Sequence, residues 1–247
     1  MARVTTHLRS ISIAINLTFV LAGVAFAQDP PPKPREAKAE FALVSTSGNA
    51  SAQSIGAAGQ VIFRPPQWEI EGQTAFVRNE AENVVSAKSF AARGRAGRVI
   101  TTRLQVFGQH SYLRDLFSGV VHRNVTEGGL SYLLVQTARN TLSADGGFGY
   151  LKERRTIGVS LSTPTAGTGA HYKLKLSDTS DITDDLLMSF DLSDEGTWRL
   201  QHAIALTAKV AAPLSLKVSN LLRYVDEPVA GFEQTDTITS AALVLSF

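Results

Sequence analysis

The last ten residues, 238–247, have the pattern of a membrane β-strand that ends on an aromatic residue. Side chains on a strand alternate between its two faces, and the face that holds Phe247 also holds Leu245, Leu243 and Ala241. The other face is mostly small or polar, which fits a strand that lies between lipid and the lumen of a barrel. An ordinary strand of a β-sandwich is the competing interpretation.

The N-terminal segment has the composition of a secretory signal peptide. Arg3 and Arg9 precede a short apolar run over 11–26, which ends in the small-x-small pattern Ala25-Phe26-Ala27. A single membrane-spanning helix is the alternative, but the run falls short of the roughly 20 apolar residues that a bilayer requires. We therefore expect residues 1–27 to be removed during export.

Composition narrows the classes of partner and cofactor. The chain has 24 basic and 22 acidic residues, and loss of Arg3 and Arg9 with the signal peptide leaves 22 of each. A mature chain with no net charge is a poor candidate for binding nucleic acid. The chain has no cysteine, which excludes disulfides, thiolate metal sites and a lipid-modified cysteine. We expect no cofactor.

The remaining chain divides into a short arm and one domain. Residues 28–38 are rich in proline and charge, and predict an extended periplasmic arm. Residues 39–247 contain no apolar stretch long enough for a membrane helix, so they can span a membrane only as a closed barrel. Alternation and turn residues predict an all-β, antiparallel transmembrane β-barrel of about twelve strands, near 38–46, 50–64, 67–78, 85–97, 101–113, 118–133, 139–153, 168–178, 184–193, 197–210, 213–224 and 233–247.

An even strand number places both chain termini of the barrel on the periplasmic side, where short turns are also expected. Residues 64–67 and 211–213 are expected to form two of these turns. The longest outer loop is expected at about 154–167, around Pro164, with further outer loops at 79–84 and 225–232.

Several predicted strands alternate clearly enough to assign their faces. In the third strand, Trp68 and Ile70 share one face, whereas Glu69 and Glu71 share the other. A charge that faces lipid at the bilayer midplane costs about 2–4 kcal/mol, so the charged faces are expected to line the lumen. A soluble β-sandwich would also alternate, but these strands are about twice the five or six residues usual in globular proteins.

On this assignment the lumen is polar, mixed in charge and slightly basic. Its basic residues are Arg93, Arg95, Arg123, Lys173, Lys175, Arg199, Lys209, Lys217 and Arg223, and its acidic residues are Glu69, Glu71, Glu127, Asp145, Asp185 and Asp191. One interpretation is that these charges pair and fill the interior, because unpaired charges in a narrow lumen would be costly. The other is a constricted aqueous path with mild anion preference, since twelve strands lie between filled eight-stranded barrels and open porins.

Two further features lie near the outer rim or within the strands. Asp115 and Arg123 flank a short outer loop, and we expect them to form an ion pair that pins the hairpin or takes part in gating. Gly146, Gly147 and Gly149 are followed by no helix and by no P-loop lysine, so they predict strand curvature or close packing instead of a phosphate site.

An enzyme is the hypothesis from a different class, because a barrel of this size can cleave lipids with a serine activated by a histidine. His110 is expected on the lipid-facing surface, but its neighbour Ser111 points to the opposite face. The residue two positions after His202, which would share its face, is Ile204. A pair formed across two strands stays open, and we expect a protein without enzymatic activity.

Several segments together resemble a known family. They are Phe41–Asn49, Tyr112–Arg123, Gly128–Tyr132, Gly146–Glu153 and the terminal strand, and their order and spacing resemble those of the salt-induced outer-membrane protein family, domain of unknown function 481. The resemblance covers nearly the whole mature chain. It implies an outer-membrane location and a link to salt or osmotic stress, but supplies no ligand and no catalytic residue.

The sequence therefore predicts an outer-membrane β-barrel that acts as a narrow pore for small solutes or as a structural, stress-response component of the envelope. Its expected partners are outer-membrane lipid and the barrel-assembly machinery, which would recognise the C-terminal strand and Phe247. The alternatives are a lipid-modifying enzyme and a periplasmic β-sandwich that binds a ligand.

Overall fold

A computed structural model describes residues 33–46, 52–81, 84–193 and 197–247 of the chain. The predicted signal peptide and the first part of the predicted arm lie outside the described residues. The strands are β1 Arg35–Thr46, β2 Ala52–Phe63, β3 Trp68–Ala81, β4 Val84–Val99, β5 Leu104–Asp115, β6 Val120–Gln136, β7 Asn140–Arg155, β8 Leu161–Ser177, β9 Ser180–Asp191, β10 Trp198–Lys209, β11 Leu214–Val225 and β12 Thr235–Ser246, with a short 3-10 turn at Leu116–Ser118.

Each strand pairs antiparallel with its neighbours in sequence, and β12 returns to pair with β1. In the closing pair Ala39 lies opposite Leu245 and Phe41 opposite Leu243, and the backbone nitrogen of Phe247 donates to the carbonyl of Ala37 at 2.9 Å. Closure leaves no unpaired strand edge, which is the condition for a sheet to span a membrane. The predicted twelve-stranded barrel is confirmed, and the β-sandwich alternative is wrong.

The two faces of the wall follow the predicted alternation. Large apolar side chains cover the outside, including Trp68, Ile70, Phe148 and Leu243, and Phe148 is 71% exposed. Inward-facing residues include the polar Arg95 and Gln109, together with the buried Val244. An apolar outer surface around a polar interior is the arrangement of a barrel that faces lipid. No described residue belongs to a helix that is long and apolar enough to cross a membrane.

The predicted boundaries of the arm and of the longest outer loop are wrong. β1 begins at Arg35, so residues 35–38 belong to the wall and not to the arm. β8 begins at Leu161, which turns most of the predicted outer loop into strand. Pro164 suggested a loop, but its carbonyl accepts from the backbone nitrogen of Leu192, beyond the end of β9. The backbone nitrogen of Pro164 faces the same side as its carbonyl, beyond the end of β9. The lack of an N–H at this position therefore removes no hydrogen bond from the β8–β9 ladder.

Candidate functional site

One cavity of about 930 Å³ occupies the lumen. Near the periplasmic end it is lined by Glu36, Arg64 and Ser246, and at the outer end by Arg155 and Pro228. The same space therefore extends along most of the barrel axis. A lumen of this shape is neither packed solid with side chains nor as wide as an open porin.

A network of charged side chains inside the lumen joins β4 to β7, β8 and β9. Nη1 of Arg95 on β4 lies 2.8 Å from Oδ2 of Asp145 on β7, and Asp145 in turn lies 3.3 Å from Nε2 of His171 on β8. Nδ1 of His171 lies 2.7 Å from Oδ1 of Asp185 on β9. The Arg95 guanidinium also stacks 3.7 Å above the ring of Phe107. These contacts hold the Arg95 side chain in place at one end of a series of charged side chains from β4, β7, β8 and β9.

A second part of the network lines the neighbouring strands. Nη2 of Arg93 lies 3.5 Å from Oε2 of Glu71, and the Gln60 side chain donates to Glu71 at 2.6 Å. Gln109 donates to Glu127 at 2.6 Å. Most of these partners are on adjacent strands, so the pairs lie along the wall. The expected pairing of luminal charges is therefore present together with a cavity, because pairing along the wall leaves the centre free.

At the periplasmic rim, Arg64 occupies the turn between β2 and β3. It donates to Glu36 at 2.6 Å and to Glu69 at 2.7 Å. Partial burial disfavours the charged guanidinium, but the two carboxylates outweigh it and the pKa of Arg64 lies above its ordinary value. Glu69, predicted as a luminal charge, is thereby assigned to the rim.

The outer mouth is narrowed by an ion pair that the sequence did not indicate. Nη1 of Arg223 on β11 lies 3.6 Å from Oδ2 of Asp115 at the end of β5. These two strands are six places apart in the closed order of twelve, so their side chains meet across the lumen. The contact obstructs the path at this level.

The predicted rim pair between Asp115 and Arg123 is wrong. The strand register places Arg123 directly opposite Glu153 of β7, and the Arg123 side chain donates to that carboxylate. A register shift between Leu113 and Asp115 displaces the end of β5, where the Asp115 carboxylate accepts from the backbone nitrogen of Phe117 at 3.2 Å. Because of this shift, Asp115 reaches a strand that is distant in sequence.

The connection between β11 and β12, residues 226–234, folds over the same mouth, and we name it the strap. The backbone nitrogen of Asp226 donates to the carbonyl of Trp198 on β10 at 3.0 Å. The carbonyl of Glu227 accepts from the Arg155 side chain of β7 at 3.4 Å. The strap therefore contacts strands three places apart.

The far end of the strap rests on the turn that joins β5 and β6. Val229 is only 3% exposed, and a Cβ added to Gly119 would lie 2.6 Å from the Val229 side chain. Gly119 also has φ of 77°, a conformation that favours glycine. The strap thus crosses from one side of the mouth to the other, and the cavity ends beneath it.

Two further predicted luminal charges, Arg199 and Asp191, lie close to this mouth. Arg199 of β10 is buried and lines the cavity. The Asp191 carboxylate of β9 accepts from the hydroxyl of Thr163 and from the backbone nitrogen of Ser193, the latter at 3.0 Å. Among the described residues, no group of three or more histidine, aspartate or glutamate side chains could hold a metal ion.

Two histidines lie on the outer surface, as their strand positions predict. Nε2 of His202 lies 2.8 Å from Oδ1 of Asp184, and Nδ1 of His110 lies 2.9 Å from Oγ1 of Thr126. Neither contact is the serine–histidine contact of a lipid-cleaving site. Each of the two histidines instead contacts a polar side chain on the adjacent strand.

Comparison with known proteins identifies the family. The model of a protein family of unknown function, DUF481, matches residues 39–247. The chain belongs to this family. It is 24% identical over 214 residues to the uncharacterized protein YdiY of Escherichia coli K12, which covers 85% of this chain and 82% of that protein.

Solved structures of outer-membrane barrels share the fold. An outer-membrane channel of Pseudomonas putida F1 has a TM-score of 0.53 at 8% identity, and covers 90% of this chain and 100% of its own. The translocator domain of the autotransporter NalP from Neisseria meningitidis has a TM-score of 0.50 at 12% identity, with 89% and 90% covered. The DUF481 chain therefore has the fold of outer-membrane β-barrels.

Proposed function

We propose that this protein is a narrow pore of the Gram-negative outer membrane, with a mild preference for small anionic solutes. The main support is the cavity of about 930 Å³, which extends from the periplasmic rim to the underside of the strap. A barrel with a purely structural role has no need of such a space, whereas a pore requires it. The strap and the Asp115–Arg223 contact make the outer mouth the narrowest part of the path.

The preference for anions is expected from the arginines that line this space. Arg93, Arg95, Arg123, Arg155 and Arg223 all line the cavity. Fixed positive charges in a confined path attract anions and raise the barrier to cations. The acidic residues between them limit the preference, so selectivity should be partial.

Neutralising Arg95 is expected to shift the pore toward cations. The Arg95→Gln substitution removes the positive charge and leaves Asp145 and Asp185 facing the same part of the lumen. The zero-current potential across a planar bilayer, under a gradient of potassium chloride, measures this shift directly.

The matched control is Arg139→Gln, because Arg139 is exposed in the periplasmic turn between β6 and β7. It should leave the zero-current potential unchanged. Equal potentials for the parent and Arg95→Gln would contradict a selectivity filter at Arg95.

A structural or salt-stress component is the second role that the family resemblance implied. Such a barrel would be folded and electrically silent, so current measurements separate the two roles. In either role, we propose that the C-terminal strand ending on Phe247 is the segment recognised by the barrel-assembly machinery, since this strand makes the closing pair with β1.

A further inference from the structure

We propose that Arg199, together with the hydroxyl groups of Thr165 and Thr197, binds an oxyanion beneath the strap. The ligand class is a small solute that carries a carboxylate or a phosphate group. This site rests on the proposed pore function only in that the solute would pass through the same lumen. It adds a specific binding step at the outer mouth.

The Arg199 guanidinium is buried without a protein partner. The residue is only 8% exposed, and Nε, Nη1 and Nη2 lack a hydrogen-bond partner among the described residues. A buried charge that lacks a partner is strongly unfavourable, and arginine loses five donors at once. An anion with two oxygens would satisfy this group, because the guanidinium fork matches carboxylate and phosphate geometry.

The nearest carboxylates are already engaged by other residues. The two oxygens of Glu153 accept from Arg123 and from Arg155, the latter at 2.8 Å. Oδ1 of Asp191 accepts from the Ser193 backbone nitrogen and from the Ser193 hydroxyl, at 3.0 and 3.1 Å. These acidic groups therefore moderate the charge of Arg199 without pairing with it.

The unsatisfied polar atoms concentrate around Arg199. Thr165 is 0% exposed and Thr197 is 5% exposed, and the hydroxyl of each lacks a partner. Arg199, Thr165 and Thr197 account for five of the seven buried side-chain polar atoms that lack a partner in the described part of the chain. Native interiors rarely leave such groups unpaired, so their clustering indicates a ligand.

The register brings these groups to one patch of the inner wall. Thr165 of β8 lies opposite Asp191 of β9, whose backbone nitrogen donates to the carbonyl of Thr197 at 3.0 Å. Arg199 follows Thr197 by two positions and so shares its inward face. The hydroxyl and guanidinium donors of β8 and β10 therefore lie on the same stretch of the inner wall.

The strap controls access to the patch. The guanidinium nitrogens are closed off from solvent. The backbone bond from Asp226 to Trp198, the residue before Arg199, continues the β10–β11 ladder, so the strap leaves the wall beside Arg199. Displacement of the strap beyond Asp226 is the movement that would admit an anion. The remainder of the solute would occupy the cavity, which Arg199 also lines.

Binding can be measured without relying on ion current. Protein purified from outer membranes in detergent would be titrated with gluconate, followed by saturation-transfer NMR, and with inorganic phosphate, followed by broadening of the phosphorus signal. Sorbitol serves as the neutral counterpart of gluconate. We expect saturable binding of gluconate, phosphate or both, and none of sorbitol.

The Arg199→Gln variant should weaken binding at least about tenfold, because it removes charge-assisted hydrogen bonds. Arg199→Lys should fall between this variant and the parent, and Arg139→Gln, at an exposed turn, should bind as the parent does. The Thr197→Val variant removes one hydroxyl without a change of charge, and should weaken binding several-fold. This variant decides the matter if Arg199→Gln fails to give a heat-modifiable, folded barrel.

Unchanged binding in Arg199→Gln, or in Thr197→Val where the first variant does not fold, would overturn the site. Absence of saturable anion binding, or equal binding of sorbitol, would also overturn it. A barrel that binds the anion but carries no current would support the binding site and contradict the pore. A barrel that conducts, but whose anion binding does not depend on Arg199, would support the pore and contradict the binding site.

Discussion

Replacement of strap residues 228–233 by glycine and serine, at unchanged length, raises the conductance of the barrel several-fold. This result is expected because Val229 holds the strap against Gly119 across the mouth, where the cavity ends. Without that apolar anchor the segment gains conformational freedom and no longer covers the path. Single-channel current in planar bilayers measures the change.

The control for this experiment is the same replacement in residues 156–160, the outer loop between β7 and β8. That loop is exposed throughout, and Val159 is 82% exposed, so its replacement should leave conductance unchanged. If the two variants conduct equally, the strap is not the barrier at the outer mouth.

The Gly147→Ala substitution is expected to destabilise the barrel strongly. A Cβ at this position would lie 2.5 Å from the carbonyl oxygen of Gly128 and 2.9 Å from Cα of Gly129. Both obstructing atoms belong to the backbone of β6, so a side-chain rotation cannot relieve the clash. Overpacking of this kind costs about 1–3 kcal/mol, and the free energy of unfolding in urea should fall by at least this amount.

Gly146 provides the control within the same strand. A Cβ at Gly146 would meet no atom within 4 Å, because this residue faces outward. The Gly146→Ala variant should therefore unfold within about 0.5 kcal/mol of the parent. Similar losses of stability in both variants would show that close approach of β6 and β7 is not the reason for glycine at 147.

The glycines illustrate what the sequence could predict. Gly146, Gly147 and Gly149 indicated curvature or close packing, and the structure confirms close packing of Gly147 against β6. The fold and the two faces of the wall could also be predicted from the sequence, because apolar and polar residues alternate along long strands and the charges lie on one face only. These are local patterns, which sequence records directly.

The outer mouth could not be predicted in the same way. The Asp115–Arg223 contact joins residues that are distant in sequence, and it depends on a register shift at the end of β5. The composition of residues 225–232 indicates an outer loop, and the structure has one at 226–234. A composition that suits a loop does not show that the loop folds over the lumen. The directly opposed pair Arg123–Glu153 could have been found from the β6–β7 register.

Arg199 was recognised as a luminal charge, but not as a residue without a partner. Pairing was the natural expectation for charges in a confined interior. Only the observed contacts of Glu153 and Asp191 reveal that the nearby carboxylates are occupied by other groups. The candidate binding site is therefore a property of the packed mouth and not of any single strand.

The most direct test of the central claim is the single-channel conductance of protein purified from outer membranes, after a heat-dependent shift on gel electrophoresis confirms a folded barrel. A pore predicts discrete current steps, smaller than those of an open porin, with a zero-current potential that indicates mild anion preference. A folded barrel that inserts into the bilayer and carries no current would contradict the pore.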